Sequence, residues 1–388
     1  MKVRRQLSNK WADILLTCLI LGVLAGYFFP RIPRLSELLC VFYAVIGLFA
    51  ILLAKTIRRN DIYGFVLAIL LMIYAQSSEG LRYGLLVISI ITWSKFKYII
   101  TTAIHVLVII GFVSSLSQIT NRMERIEGFC HGSPPQFACY MYVCFVFLAI
   151  YFYNMAKYPF SNRQRRYKTI VLMECAGCIL LIFLTGTRSI FAAAVAIGIY
   201  YIICSITENI QRKQRKWTVV ALLIAAGLIV MLFADKLISV FYDRTSRGGL
   251  SVTGSDSTRM ALLQMVISDM IKNPITFIIG HGGGYVESFI RQRLNINEYF
   301  PLHQDFILML SEYGIVGLLL LFCTIIKKYK ALMVLLVLFV PCSFHNIILN
   351  TRAMLLMFII VVTVGNNNYA YLPWQKRLSA IEIGALRK

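Results

Sequence analysis

The sequence predicts an all-α membrane protein of about twelve spanning helices, folded as a single domain over residues 1–388, and three observations lead there. Its 388 residues are 59% hydrophobic and 14% charged, too little polar surface for a water-soluble chain of this length. The apolar residues come in long blocks nearly free of charge, as membrane helices require. The basic residues gather at the ends of those blocks. The net charge of +22 is therefore a matter of topology, because no compact basic module or base-stacking signature accompanies it, and nucleic acid is excluded as a partner.

Taken in order, the first half supplies the spans Trp11–Pro30, Leu35–Ile57, Ile62–Gln76, Leu81–Trp93, Tyr98–Ser117 and Phe137–Ala156. The second half supplies Thr169–Leu184, Ser189–Ile206, Trp217–Val240, Phe306–Ile326, Ala331–Leu349 and Ala353–Gly365. The first span follows a basic start but has no small-residue cleavage site after it, so it reads as retained. The pair at 62–93 is short and suits a re-entrant hairpin, whose loss would leave the orientation unchanged. With both termini cytoplasmic, 25 of the 39 Lys and Arg residues fall inside and 14 outside, and every cytoplasmic loop obeys the positive-inside rule. Nine of the ten cysteines lie in spans, so no disulfide framework is expected, and Cys175-x-x-Cys178 reads as packing.

Two external loops stand out, at 118–135 and 241–302. The longer has 62 residues and is not of low complexity, and long loops of that kind carry function. Ser255, Asp256 or Ser257 can cap a helix over Thr258–Lys272, with apolar residues at 262, 263, 266, 267, 270 and 271. Pro274 closes this helix, which is expected to lie along the membrane surface. Among the 14 external basic residues only Lys236 and Lys272 are lysines. Topology needs only charge. A bias to arginine points to bidentate grip on phosphate, against the plainer reading that arginine snorkels well at an interface.

Three residues are candidates for chemistry. Arg188 follows the tight turn Thr185-Gly186-Thr187 at the head of the next helix, where free N–H groups already favour an anion. Arg259 occupies the first turn of the loop helix and heads its apolar face, where an unpaired charge is costly; a phosphate would relieve it, as would Asp256 or a lipid headgroup, the plainer alternative. His303 opens the span after the long loop, and His303-Gln304 is followed after nine residues by Gly314-x-x-Gly317. Those 11 residues amount to roughly 16 Å of helix, which sets a glycine slot below the imidazole for a lipid chain or neighbouring helix. A titratable group there suits a base acting on a membrane-anchored hydroxyl; the plainer alternative is an interfacial His above a packing seam. Arg122 and Arg125 sit beside Glu124 and Glu127, by default a local salt-bridge cluster. Gly280-His281-Gly282-Gly283-Gly284 lacks the Lys-Ser/Thr of a nucleotide loop and reads as a flexible turn. His105, in mid-span, reads as a hydrogen-bonded structural residue, and Glu312 as an interhelical contact.

On these residues the chain resembles the O-antigen ligase/polymerase superfamily. His303-Gln304-x9-Gly314-x-x-Gly317 fits the most recognisable motif of that group. Thr185-Gly186-Thr187-Arg188-Ser189 is similar to its "TGSR" turn, and Ser257-Thr258-Arg259 with the following helix, Pro274 and Gly280-x-Gly282 to its loop signature. Arg125-x-x-Gly128-Phe129 resembles a further segment, but Ser133-Pro134-Pro135-Gln136 departs from the expected Asn-Pro-Asn, so no role is carried onto it. The resemblance implies a metal-independent, cofactor-free glycosyltransferase of the bacterial inner membrane, with its active site facing the periplasm. Its donor would be an undecaprenyl-diphosphate-linked oligosaccharide. Arg188 and Arg259 would hold the diphosphate and His303 would act on the acceptor hydroxyl; Arg125, Gln304, Gly314 and Gly317 are further candidates. A polymerase of O-antigen repeat units, working with membrane lipids and a chain-length regulator protein, fits the compact size and many aromatics slightly better than a ligase to lipid A core. A flippase of lipid-linked oligosaccharide is the competing class, and the absence of an internal repeat speaks against it.

The topology is open to direct test. Cysteine-accessibility labelling in intact cells, on a background lacking native cysteines, is expected to modify position 295 and to spare Lys328 and the 207–216 loop once these are replaced by cysteine. The reverse pattern would overturn the orientation.

Overall fold

A stretch that is apolar on every side has no face to give to water. Pro134–Met155 is such a stretch, and Phe137 through Ile150 are buried without interruption. The computed structural model describes residues 59–74, 100–121, 125–130, 134–155, 162–206, 252–295 and 304–326, with a few single positions elsewhere. Among these residues the regular structure is all α-helical, in line with the expected class. The helices are α1 (Arg59–Ile73), α2 (Ile100–Thr120), α3 (Pro134–Met155), α4 (Asn162–Leu184), α5 (Arg188–Ile206), α6 (Val252–Lys272), α7 (Pro274–Ile279), α8 (Tyr285–Leu294) and α9 (Asp305–Ile326). Among the described residues one window, Tyr167–Leu184, is long and apolar enough to cross a membrane by length and composition. Ile104–Thr120, Pro134–Ile150 and Ser189–Ile203 are shorter apolar stretches. Six expected spans, Trp11–Pro30, Leu35–Ile57, Leu81–Trp93, Trp217–Val240, Ala331–Leu349 and Ala353–Gly365, lie almost wholly outside the described residues.

Helices α2 to α5 pack around α3. Small residues set their approach: a Cβ at Gly111 would press on Met141 at 2.9 Å, and one at Gly177 would enter the Phe112 ring. Side chains seated on glycine in this way are what small residues at a helix interface allow, and they hold helices together where lipid competes for every apolar face. His105 on α2 is fixed by α4, with Nδ1 2.6 Å and 2.8 Å from the two Glu174 oxygens and Nε2 2.5 Å from the Tyr167 hydroxyl. The structural role expected of His105 follows directly. Cys175 and Cys178 are free, buried thiols, as are Cys130, Cys139 and Cys144.

The second group joins α1 and α9 to the helices of the long loop. Helix α6 begins at Val252, six residues before the expected Thr258. Ser255, Asp256 and Ser257 are thus in its early turns and do not cap it, a placement these residues tolerate because their oxygens suit the electropositive end of a helix. Its Leu262, Val266 and Met270 form a core with Val286 and Ile290 of α8 and with Leu302. Asn273, at φ −122° and ψ 80°, stays out of the helical region that a following proline disfavours, and Pro274 opens α7 at a position where its missing N–H costs nothing.

The last described helix is not continuous. At Gly314 the backbone takes φ 67° and ψ −178°, a conformation essentially confined to glycine. In an unbroken helix the carbonyls of Ser311 and Glu312 accept from residues four further on. Here the Ser311 carbonyl accepts from the His281 N–H at 3.0 Å and that of Glu312 from the Gly282 N–H at 2.8 Å. The next residue, Gly283, donates to the Tyr74 carbonyl at the end of α1, at 2.8 Å. A Cβ on Gly314 would overlap the Ile278 carbonyl, and one on Gly280 the Glu312 carbonyl. The glycine turn is therefore a fixed splice between α1 and α9, not a flexible connection. The slot foreseen at Gly314 is filled by the chain itself, and a Cβ on Gly317 would come 3.7 Å from Leu70 on α1. Of the two occupants expected there, the neighbouring helix is the one found.

Gly314→Ala is expected to cost at least about 1–3 kcal/mol from backbone strain alone and to lower the thermal midpoint of the detergent-purified protein clearly. Gly198→Ala, whose Cβ would meet only Phe145 at 3.6 Å, should leave the midpoint nearly unchanged. Equal midpoints for the two variants would contradict the splice.

Candidate functional site

Thr185-Gly186-Thr187 joins α4 to α5 by a turn that satisfies itself. The Thr185 hydroxyl donates to the Ile182 carbonyl at 2.6 Å and accepts from the Thr187 N–H at 3.2 Å. Gly186 supplies the positive φ of 70°. The Thr187 carbonyl accepts from the Phe191 N–H, which makes Thr187 the residue ahead of the first helical turn and Arg188 the first residue within it. That is the position expected for Arg188, where unsatisfied N–H groups and the helix dipole favour an anion. Its side chain is outside the described residues.

The turn is braced from the segment between α2 and α3. Arg125 Nε donates to the Thr185 carbonyl at 2.8 Å, across sixty residues of sequence, and the Ile126 N–H reaches the Leu184 carbonyl. Arg125 also packs where a Cβ on Gly186 would sit, at 3.2 Å from that point. Its own loop is held by Gln118, whose Oε1 accepts from the N–H groups of Glu127 and Gly128 and whose Nε2 donates to the Gly128 carbonyl. Phe129 then locks the loop by edge contact with Phe137 and tilted contact with Tyr140. The local ion-pair reading of Arg125 therefore misses its long-range bond. Arg122 and Glu124 lie outside the described residues.

At the head of α9, Gln304 is half-buried and its carbonyl accepts from the Leu308 N–H, while Asp305 is fully buried. His303, between Leu302 and Gln304, lies outside the described residues. Asp305 is within electrostatic reach of Cys139, so the head of α9 is near the start of α3. Arg259 falls about two turns into α6, not in its first turn, so the helix N-terminus is no longer a reason for an anion beside it. Its register still places it on the stripe that continues through Leu262, Val266 and Met270, and that stripe packs against Leu302 and, through half-buried Ile307, Leu308 and Leu310, against α9. Its side chain is outside the described residues. What the structure brings together is thus Arg125 with the turn before Arg188, and the Arg259 stripe with the residues flanking His303.

A second polar group was missed by sequence reasoning. Tyr285 donates to Asp269 Oδ2 at 2.8 Å, and the His281 ring stacks on Tyr285 at 3.9 Å between centroids. His281 Nε2 is 3.7 Å from the same carboxylate oxygen, and Nδ1 is 3.2 Å from the Ser311 carbonyl. Burial, then the Asp269 carboxylate, pushes the Tyr285 phenol up to about 12, so it remains a donor at physiological pH. His281 is consequently a joint between α6, α8 and α9. The one available signal was the run of glycines around it, which marks close backbone approach as readily as flexibility.

Residues 175–322 match a family model described as O-antigen ligase. A search of curated proteins returns no match. The matched segment supports the O-antigen ligase/polymerase superfamily, a class of membrane enzymes acting on lipid-linked polysaccharide. It contains the Thr185–Arg188 turn, Arg259, the glycine turn and the block from His303 to Gly317; Arg125 lies before it.

Arg125→Ala should remove a charge-assisted hydrogen bond worth about 1.5–3 kcal/mol, lowering the thermal midpoint of the purified protein. A midpoint equal to that of the parent protein would show that the brace on Thr185 contributes nothing.

Proposed function

We propose that the chain is a metal-independent glycosyltransferase that polymerises undecaprenyl-diphosphate-linked repeat units into O-antigen or a related surface polysaccharide. The observation that carries this reading is the co-occurrence, within one matched segment, of an arginine at a helix head, an arginine on the packed loop helix and the His303-Gln304 block. The proposed setting is the inner membrane, with both termini cytoplasmic and the site on the periplasmic side; a chain-length regulator protein is a proposed partner.

The chemistry asks little more of the chain than cations and a base. The acceptor oxygen bonds to the anomeric carbon of the donor while the bond from that carbon to the diphosphate breaks, and the leaving diphosphate takes the electron pair. Arg188 and the free N–H groups of its helix stabilise that growing charge, with Arg259 facing it from the loop. His303 takes or orients the acceptor proton. A ligase reading, with lipid A core as acceptor, is supported by the description of the matching family. Many aromatic residues, 21 Tyr and 25 Phe, lean toward an enzyme specific for its own sugar repeat. In a deletion strain the polymerase leaves core bearing a single repeat, and the ligase leaves free core.

Arg188→Lys and Arg259→Lys should each lower extension of purified lipid-linked repeat units by about 10- to 150-fold, the rate equivalent of a lost charge-assisted hydrogen bond of roughly 1.5–3 kcal/mol. His303→Ala should abolish extension while donor binding persists. Normal extension by His303→Ala would remove it from the chemistry, and lost donor binding would reassign it to the diphosphate.

A further inference from the structure

The segment after α6 was expected to lie wholly outside the bilayer, yet its backbone partners are deep. Two independent rulers give the depth of the glycine turn. From outside, its partners Ser311 to Gly314 come six to nine residues after the head of α9 at Asp305, or about 9–14 Å down a helix rising 1.5 Å per residue. From inside, α1 starts at Arg59, beside the cytoplasmic Lys55 and Arg58, and carries the chain only to Tyr74, the partner of Gly283. Fifteen residues rise about 22 Å of a hydrocarbon core of roughly 30 Å, which leaves Tyr74 about 8 Å below the outer boundary. The two measures converge within the outer leaflet.

We propose that Pro274–Gly284 is a re-entrant element, in which α7 and the glycine turn dip into the outer leaflet and present Ile275, Phe277, Ile278 and Ile279 to lipid acyl chains. Non-helical backbone survives at that depth only if protein satisfies it. The N–H groups of His281, Gly282 and Gly283 have carbonyl partners on α9 and α1, which meets that condition. The side chains agree. No residue of α7 is buried, Ile275 is 71% exposed and Ile278 51% exposed, and Pro274–Ile279 carries no charge. In water this would be an aggregation-prone patch; against acyl chains it is an ordinary surface. It continues along the spans it touches, where Val316 and Leu319 of α9 and Ile73 of α1 are also exposed. Lys272, exposed at the end of α6, marks the level of the headgroups to which its ammonium extends.

Phe277→Trp and Gln292→Trp, each as the sole tryptophan after Trp11, Trp93, Trp217 and Trp374 are replaced by Phe, test the depth in vesicles of phosphatidylcholine brominated on the acyl chains. Loss of emission at position 277 with little loss at 292 is expected. Equal quenching at both positions, or quenching at 277 by aqueous iodide in place of brominated lipid, would overturn the proposal. The unmodified protein gives a second reading if the tryptophan-free chain does not fold. A phospholipid with a photoreactive acyl chain should leave adducts on the tryptic peptide 273–291, and adducts on α4 and α9 with none on that peptide would contradict it. Neither readout depends on glycosyl transfer, so failure here leaves the proposed activity standing, and the reverse holds as well.

Discussion

A buried peptide group left without a partner costs several kcal/mol, and the break at Gly314, among the buried Ser311, Glu312 and Tyr313, is where this structure meets that constraint. A helix interrupted there would strand carbonyls in a place water does not reach. The glycine turn at 280–284 answers them with its own N–H groups and hands the next one to Tyr74. Glycine is required at Gly280 and Gly314 because two backbones approach closer than any Cβ allows. From this splice follows the position of α6 and α8, which pack through Leu262, Val266 and Ile290 over the head of α9. The stripe that carries Arg259 is thereby laid against the residues that flank His303.

The two arginine-bearing elements are held in different ways. Arg188 heads a helix whose preceding turn is closed by Thr185 and clamped by Arg125, so its backbone position depends on hydrogen bonds to protein alone. Arg259 sits on a helix held by apolar packing and by the Asp269–Tyr285–His281 group. An arginine at a braced helix head and a second on a packed helix suit the proposed substrate, whose diphosphate must be held at the membrane surface while its lipid stays in the bilayer. The match of residues 175–322 to the O-antigen ligase family covers both.

Helical class and the helix head at Arg188 were legible in the sequence, because long apolar blocks and a tight Thr-Gly-Thr turn are local signals. The start of α6 was not: Ser255, Asp256 and Ser257 serve equally as caps or as first-turn residues, and packing of Leu262 and Val266 decides between them. Gly314 was recognised as a place of close approach, but reading the helix as continuous hid the break. Only the partner, the Ile278–Gly280 backbone thirty-odd residues earlier, creates the need for it. Arg125 was obscured by the glutamates beside it, since a sequence shows neighbours along the chain and not the carbonyl sixty residues away. His303 and the outer spans were read from motif and charge, and they lie outside the described residues.

The central claim is that the chain forms glycosidic bonds at the expense of a lipid diphosphate. The most direct measurement reconstitutes the purified protein in vesicles with lipid-linked repeat units and a metal chelator, and counts released undecaprenyl diphosphate against glycosidic bonds formed. The account predicts equal numbers, undiminished by the chelator. Movement of the lipid-linked substrate across the bilayer with no bond formed and no diphosphate released would contradict it.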